Sequence, residues 1–208
     1  MIVATLPVFT YTIAIVGAQG RLGRELTMQS LQRGWNVYGV VRRPDEPVFV
    51  PSRKGWLVET SALNRVPITS DRLALTPNAT CPTDVDAIVF TMSSRPFAPR
   101  AEMKEQNEVV RQMCMSANTT NCSKICLVSA FGAGDSLPGA NMGYQVMHAF
   151  YLKEGYSSKE AQEGIVTDLK DMETLIVRPK VLSFEKIPFN PFAVLRSKLA
   201  EEILDWIG

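Results

Sequence analysis

The sequence is poor in several things that would mark other kinds of protein. One histidine, His148, stands in 208 residues, and the four cysteines at 81, 114, 122 and 126 form no C-x-x-C pair. A zinc centre is therefore badly supplied with ligands, and the thiols read as reduced and structural. Charge of one sign is also missing: 22 Lys and Arg against 21 Asp and Glu leave +1. No basic excess is present to neutralise phosphodiesters, which speaks against nucleic acid as a partner. No apolar run approaches the ~18 residues of a membrane span. No basic residue precedes Arg21, and the apolar start MIVATLPVFTYTIAIVG runs straight into a strand pattern. A cleaved leader is not expected, and the chain reads as cytoplasmic, with an organelle matrix left open. Asn78, Asn118 and Asn121 head glycosylation-type triplets, but without a secretory signal they read as polar turns. Internal repeats, low-complexity tracts and a clear linker are all absent, so residues 1–208 are expected to form one domain.

What is present is ordinary in bulk, with 46% apolar and 21% charged residues, and informative in order. TIAIVG (12–17) is a short β-branched run ending in glycine, the pattern of a strand buried on both faces. LGRELTMQSLQR (22–33) spaces Leu22, Leu26 and Leu31 as a helix would, and Gly34 is placed to end it. WNVYGVVRR (35–43) is a second strand, which completes a βαβ unit. Residues 44–82 are rich in Pro, Ser, Thr and Asn and read as irregular, with short strands at WLVE (56–59) and RLALT (72–76). Strands follow at DAIVFTMS (86–93), KICLVSAFG (124–132) and ETLIVRPKVL (173–182). Helical stretches lie at 101–117, with its methionines 103, 113 and 115 expected in the core, at 139–171 with a break near Gly155, and at 196–207. Strands alternating with helices predict an α/β fold, a Rossmann-like doubly wound parallel sheet. Residues 137–195 are then expected to supply the substrate side.

Between the first strand and the first helix stands G-x-x-G-x-x-G, residues 17–23. Gly17 would turn the chain out of the strand, Gly20 would let the backbone approach a pyrophosphate, and Gly23 would let the helix pack close to the sheet. The helix N-terminus supplies free N–H groups and the positive end of its dipole. Gly17, Gln19, Gly20, Arg21, Leu22 and Gly23 are thus the candidate cofactor cradle. A tight turn without a ligand is the alternative. The second strand ends in Arg42-Arg43-Pro44, where a site for NAD usually carries an acid. Two guanidiniums and no carboxylate favour a 2′-phosphate, hence NADP(H), with Arg21 as a further contributor. In this fold strands end at the cofactor crevice. Thr91, Met92 and Ser93 after one strand, Ser129 and Ala130 after the next, and Pro179 after the last are therefore placed along it. Ser129 is the hydroxyl most suited to face a nicotinamide or a substrate, and Arg178 is suited to a structural ion pair.

In that order GAQGRLG, VVRRP, LVSAFGAGDS (127–136) and LIVRPKVL resemble the atypical short-chain dehydrogenase/reductases. The nearest groups are the NmrA-like proteins and the small NADPH-dependent flavin or biliverdin-IXβ reductases. The resemblance spans roughly residues 12–43, 86–136 and 159–207. It implies a Rossmann fold and NADP(H) without fixing a substrate, since the group includes reductases, sensors and non-catalytic assembly subunits. Many short-chain reductases use Y-x-x-x-K, the lysine lowering the pKa of the tyrosine acid. Here Tyr144, Tyr151 and Tyr156 are followed four residues later by His148, Gly155 and Glu160. Tyr144 with His148 on one helical face is the remaining substitute pair; a packed or solvated pair is the other reading. Lys159 and Glu163 match the family's K-x-x-x-E helix, where the lysine can sit near the cofactor, against the plain reading of a surface i,i+4 pair. Met142, Met147, Phe150 and Tyr151 would wall an acceptor pocket or fill core. The function expected is an NADPH-dependent reductase that passes hydride to a planar small-molecule acceptor (flavin, quinone or tetrapyrrole) without a Tyr/Lys couple. The alternative is a non-catalytic NADP(H)-binding regulator, or a scaffold or assembly protein with a protein partner.

Overall fold

The computed structural model describes residues 10–42, 49–51, 57–59, 73–74, 78–93, 99–139, 153–183 and 193–208. Its elements run β1 (Thr12–Val16), α1 (Arg21–Gln32), β2 (Asn36–Val41), β3 (Phe49–Pro51), β4 (Leu57–Glu59), β5 (Leu73–Ala74) and β6 (Ala87–Phe90). Then come α2 (Arg100–Ala117), β7 (Lys124–Val128), a 3-10 helix (Gly134–Gly139), α3 (Lys153–Thr167), β8 (Glu173–Val177), β9 (Val181–Ser183), β10 (Ala193–Leu195) and α4 (Arg196–Ile207). Among the described residues, six strands form a sheet in the order β5-β2-β1-β6-β7-β8, and every pairing in it is parallel. The order runs outward from β1 in both directions. This is the doubly wound arrangement, with its switch point between β1 and β6. β3 and β4 pair antiparallel and β9 and β10 pair parallel as separate two-stranded pieces.

The β-branched runs make this sheet because both faces are covered. All five residues of β1 are buried. Ile13 and Ile15 pack with Leu26 of α1 and with Ile203, Leu204 and Ile207 of α4. Ala14 and Val16 face the other way, with Val109, Val110 and Met113 of α2 and Val166 of α3. One strand thus reads as a continuous apolar run because alternate side chains feed two cores. Helix α1 stops where expected, with Gly34 N–H donating to the Leu31 carbonyl at 3.1 Å.

Several expectations need correction. Helix α3 covers Lys153–Thr167 and ends short of the expected residue 171, while the expected break near Gly155 adjoins residues 140–152, outside the described residues. Met103 and Met113 are core residues, but Met115 is 59% exposed because it falls on the outer face of α2. The second strand stops at Val41 and the 124–132 strand stops at Val128. Of the 44–82 stretch, the expected strands at 56–59 and 72–76 appear as β4 and β5. Arg43, Tyr144, His148, the aromatic and methionine residues at 142–151, and the 184–192 segment lie outside the described residues. Among the described residues no helix is long and apolar enough to cross a membrane.

Candidate functional site

The site starts at the carboxyl end of β1. Gly17 leaves the strand at φ +91°, a left-handed conformation that glycine adopts without strain. Its N–H donates to the Val40 carbonyl at 2.9 Å, and Gly20 N–H closes the turn on the Gly17 carbonyl at 2.8 Å. Thr91, at the end of β6, pins this turn from the side: its Oγ1 donates to the Val16 carbonyl at 2.9 Å and lies 3.3 Å from the Gly17 carbonyl. Gly23 is fixed by close approach, since a Cβ there would stand 2.3 Å from the Gly17 carbonyl oxygen. Helix α1 opens at Gly20 with no side-chain cap and no acidic residue in its first turn. The N–H groups of Arg21, Leu22 and Gly23 therefore lack intrahelical acceptors, at the positive end of the helix dipole. That arrangement suits an anion.

A cleft of ≈ 790 Å³ opens above this turn. Gly17, Gln19, Gly20, Arg21, Leu22, Arg42, Thr91, Met92, Ser93, Ser129, Ala130, Lys159 and Pro179 all line it. The topology thus brings these expected residues to one place, from the ends of five parallel strands and from α3. Gly23 sits behind the turn. Its role is packing, as its spacing suggested. Val41, Glu102, Val128, Leu182 and Arg196 also line the cleft and were missed.

Two of the missed residues change the electrostatics. The expectation of guanidiniums without a carboxylate at the end of β2 fails, because Glu102 of α2 reaches Arg42 across space: Arg42 Nη2 donates to Glu102 Oε1 at 2.7 Å. Sixty residues separate them in the chain, so no local pattern shows the pair. Arg196 is the first residue of α4 and is buried, with Nη2 donating to the Leu182 carbonyl at 2.6 Å. Burial lowers its pKa, and the nearby charge of Arg21 lowers it further. Arg21 and Arg196 both line the cleft and add positive charge at its helix end, which suits an anion.

The floor of the cleft is polar. Lys159 is buried, and its Nζ donates to the Met92 carbonyl at 2.6 Å, the Val128 carbonyl at 3.1 Å and Gln162 Oε1 at 3.1 Å. The surface-pair reading of Lys159 is therefore wrong: α3 turns Lys159, Gln162 and Glu163 inward together. An ammonium has three donors, and here three protein oxygens take them. Burial pulls its pKa down from 10.5 to about 8, against the opposing charge of Glu163. Glu163 pairs instead with Arg178, Nε to Oε1 at 2.9 Å and Nη2 to Oε2 at 2.7 Å, while Arg178 Nη1 donates to Asp135 Oδ1 at 2.6 Å. Burial pushes the Glu163 carboxyl up, but the hydrogen bonds and charge of Arg178, with the Ser129 hydroxyl dipole nearby, outweigh it and hold the group below the usual range. Ser129 lines the cleft, yet its Oγ is shut off from solvent and makes no hydrogen bond of ordinary geometry. Its polar influence is on Glu163, so the hydroxyl does not present itself to the cleft as expected. Gly134 N–H donates to Glu160 Oε1 at 3.2 Å. The 127–136 segment, the 159–163 helix turn and Arg178 are thus parts of one clamp.

A family model for NAD(P)H-binding proteins matches residues 17–198. The chain belongs to this NAD(P)H-binding family. No curated protein matches the sequence. Among solved structures, the oxidoreductase YlbE from Lactococcus lactis is similar with a TM-score of 0.65 at 16% identity, over 94% of this chain and 84% of that one. A wide-type short-chain dehydrogenase/reductase from Veillonella parvula, solved with NADP, gives 0.62 at 13% identity, over 94% and 86%. ChuY, an anaerobillin reductase from Escherichia coli O157:H7, gives 0.58 at 16% identity, over 93% and 89%. At these identities the neighbours share the fold. They agree with the Rossmann architecture.

Proposed function

We propose that the protein is an NADPH-dependent reductase that delivers hydride to a planar acceptor such as a flavin, quinone or tetrapyrrole. The observation that carries this reading is the cleft, whose one end is an uncapped helix N-terminus on a glycine turn and whose other end is the row of strand termini after β6, β7 and β8. The pyrophosphate is assigned to the N–H groups of Arg21 and Leu22, on the glycine turn at the open end of α1. The 2′-phosphate is assigned to Arg42 with Arg43, by charge-assisted hydrogen bonds. The nicotinamide, when bound, supplies the hydride. Thr91, Met92 and Ser93 border its ribose, and Ala130 and Pro179 the ring.

The described groups of the cleft bind and orient in this scheme, and the proton is assigned to solvent or to the acceptor itself. Among the described residues lining the cleft there is no tyrosine and no histidine. Lys159 has its donors on three protein oxygens, and the Ser129 hydroxyl is closed off. An acceptor that takes its proton from solvent or from itself fits this wall, and planar redox rings do so. ChuY, as an anaerobillin reductase, supports the tetrapyrrole branch of that class.

The same engaged state of the cleft's polar groups favours the second reading, a non-catalytic NADP(H)-binding regulator or scaffold. Steady-state consumption of NADPH separates the two. Absorbance of the reduced nicotinamide should fall when flavin, quinone or linear tetrapyrrole is added, at a rate proportional to protein. Tight NADPH binding with no turnover on any of the three would establish the regulator instead.

A further inference from the structure

The rim of the cleft at the end of β2 holds an ion pair whose chemistry resembles that of the proposed ligand. Arg42 Nη2 donates to Glu102 Oε1 at 2.7 Å, with the arginine side chain 53% exposed and the glutamate 18%. Glu102 lies in the first turn of α2, where the helix dipole favours a carboxylate. Gln106, one turn later, brings its Nε2 to 3.5 Å from the same oxygen. The acid is thus held by its own helix, and Arg42 is the partner that can turn outward. A carboxylate on a guanidinium makes the same charge-assisted contact that a sugar phosphate would make.

We infer that Glu102 sets cofactor selectivity by competing with the 2′-phosphate of NADPH for Arg42. The inference rests on the reading of the cleft as a dinucleotide site. NADPH draws Arg42 from Glu102 toward the phosphate and sets added negative charge beside a half-buried carboxylate. Like charges at such range oppose each other. NADH brings ribose hydroxyls to the same place, and these donate to a carboxylate. Glu102 therefore weakens NADPH and supports NADH, so the native preference for NADPH is smaller than the two arginines alone would give.

The test is a fluorescence titration of the full chain with NADPH and with NADH, in the wild type, Glu102→Gln, Arg42→Ala and the double variant. Glu102→Gln keeps the size and removes the charge. It is expected to tighten NADPH about tenfold and leave NADH equal or weaker, on the scale of one charged hydrogen bond. In the Arg42→Ala background the same change should move the NADPH:NADH ratio by clearly less than in the wild type, because only the direct effect of the carboxylate on phosphate and ribose then remains. Glu102→Asp, one methylene shorter, should shift the ratio in the same direction and covers the case of a Glu102→Gln chain that does not fold. A ratio shift in Glu102→Gln below about threefold, or one toward NADH, with both cofactors still bound, overturns the role of Glu102 and leaves the dinucleotide site standing. An equal shift with and without Arg42 overturns competition for the arginine. A wild type that binds neither cofactor removes the site reading itself, and this inference with it.

Discussion

Lys159 shows how far a residue's position can depart from its local sequence. Lysine four before a glutamate on a helix usually marks a solvated pair. Here the ammonium ties the carbonyls of Met92 and Val128, at the ends of two adjacent strands, to the helix that carries it. Lys159→Met would leave three oxygens without their donor and should lower stability by roughly 1–3 kcal/mol at neutral pH. The pH dependence has a definite sign. The folded pKa is about 8 against an ordinary 10.5, so between those values the unfolded chain holds a proton that the folded one has released. The stability linked to this group is fully present above 10.5 and is lost as pH falls through about 8. The difference in unfolding free energy between wild type and Lys159→Met, from denaturant titrations, should therefore widen from pH 8 to 10.5. A flat difference would mean that Lys159 is not buried as a cation.

At the scale of elements, α3 explains why part of the site could not be read. Its inward positions include Ser158, Lys159, Gln162, Glu163 and Val166. Hydrophobic periodicity finds a helix by its apolar stripe, and this stripe is mostly polar, so its buried face looked like a surface. β1, α1, β2, β6, α2, β7, β8 and α4 were legible because burial on one or both faces wrote the apolar pattern directly into the chain. The Glu102–Arg42 pair and the approach of Arg196 were not legible, since each depends on which helix the fold lays beside which strand end. The clamp of Glu163 on Arg178 joins α3 to β8 and, through Asp135, to the 3-10 helix. Arg178→Met should cost about 1–3 kcal/mol at neutral pH by leaving a buried carboxylate without its hydrogen bonds. Because the Glu163 pKa is held below its ordinary 4.5, the clamp's contribution is present above that value and is lost as pH falls beneath it. The gap between wild type and variant should then shrink in acid, by thermal or urea unfolding. A gap that stays constant to the acid limit would show that the pair contributes packing rather than charge.

For the whole molecule, the parallel sheet does one thing that no single segment does. It gathers the glycine turn after β1, the arginine after β2, Thr91 after β6, Ser129 and Ala130 after β7, and Pro179 after β8 onto one edge. The position of the cleft follows from strand order, and strand order follows from apolar runs joined by helices of suitable length. The account stands or falls on the cofactor end. The most direct measurement is equilibrium titration of the purified protein with NADPH, alongside NADH and the Gly20→Val variant, with the melting temperature of each recorded. The prediction is saturable NADPH binding, weaker NADH binding, and loss of both in Gly20→Val, whose Cβ would stand 3.0 Å from the Gly17 carbonyl oxygen and crowd the turn that opens the helix. Unchanged NADPH affinity in a folded Gly20→Val, or no binding of either cofactor by the wild type, would contradict the assignment of the glycine turn as a phosphate cradle.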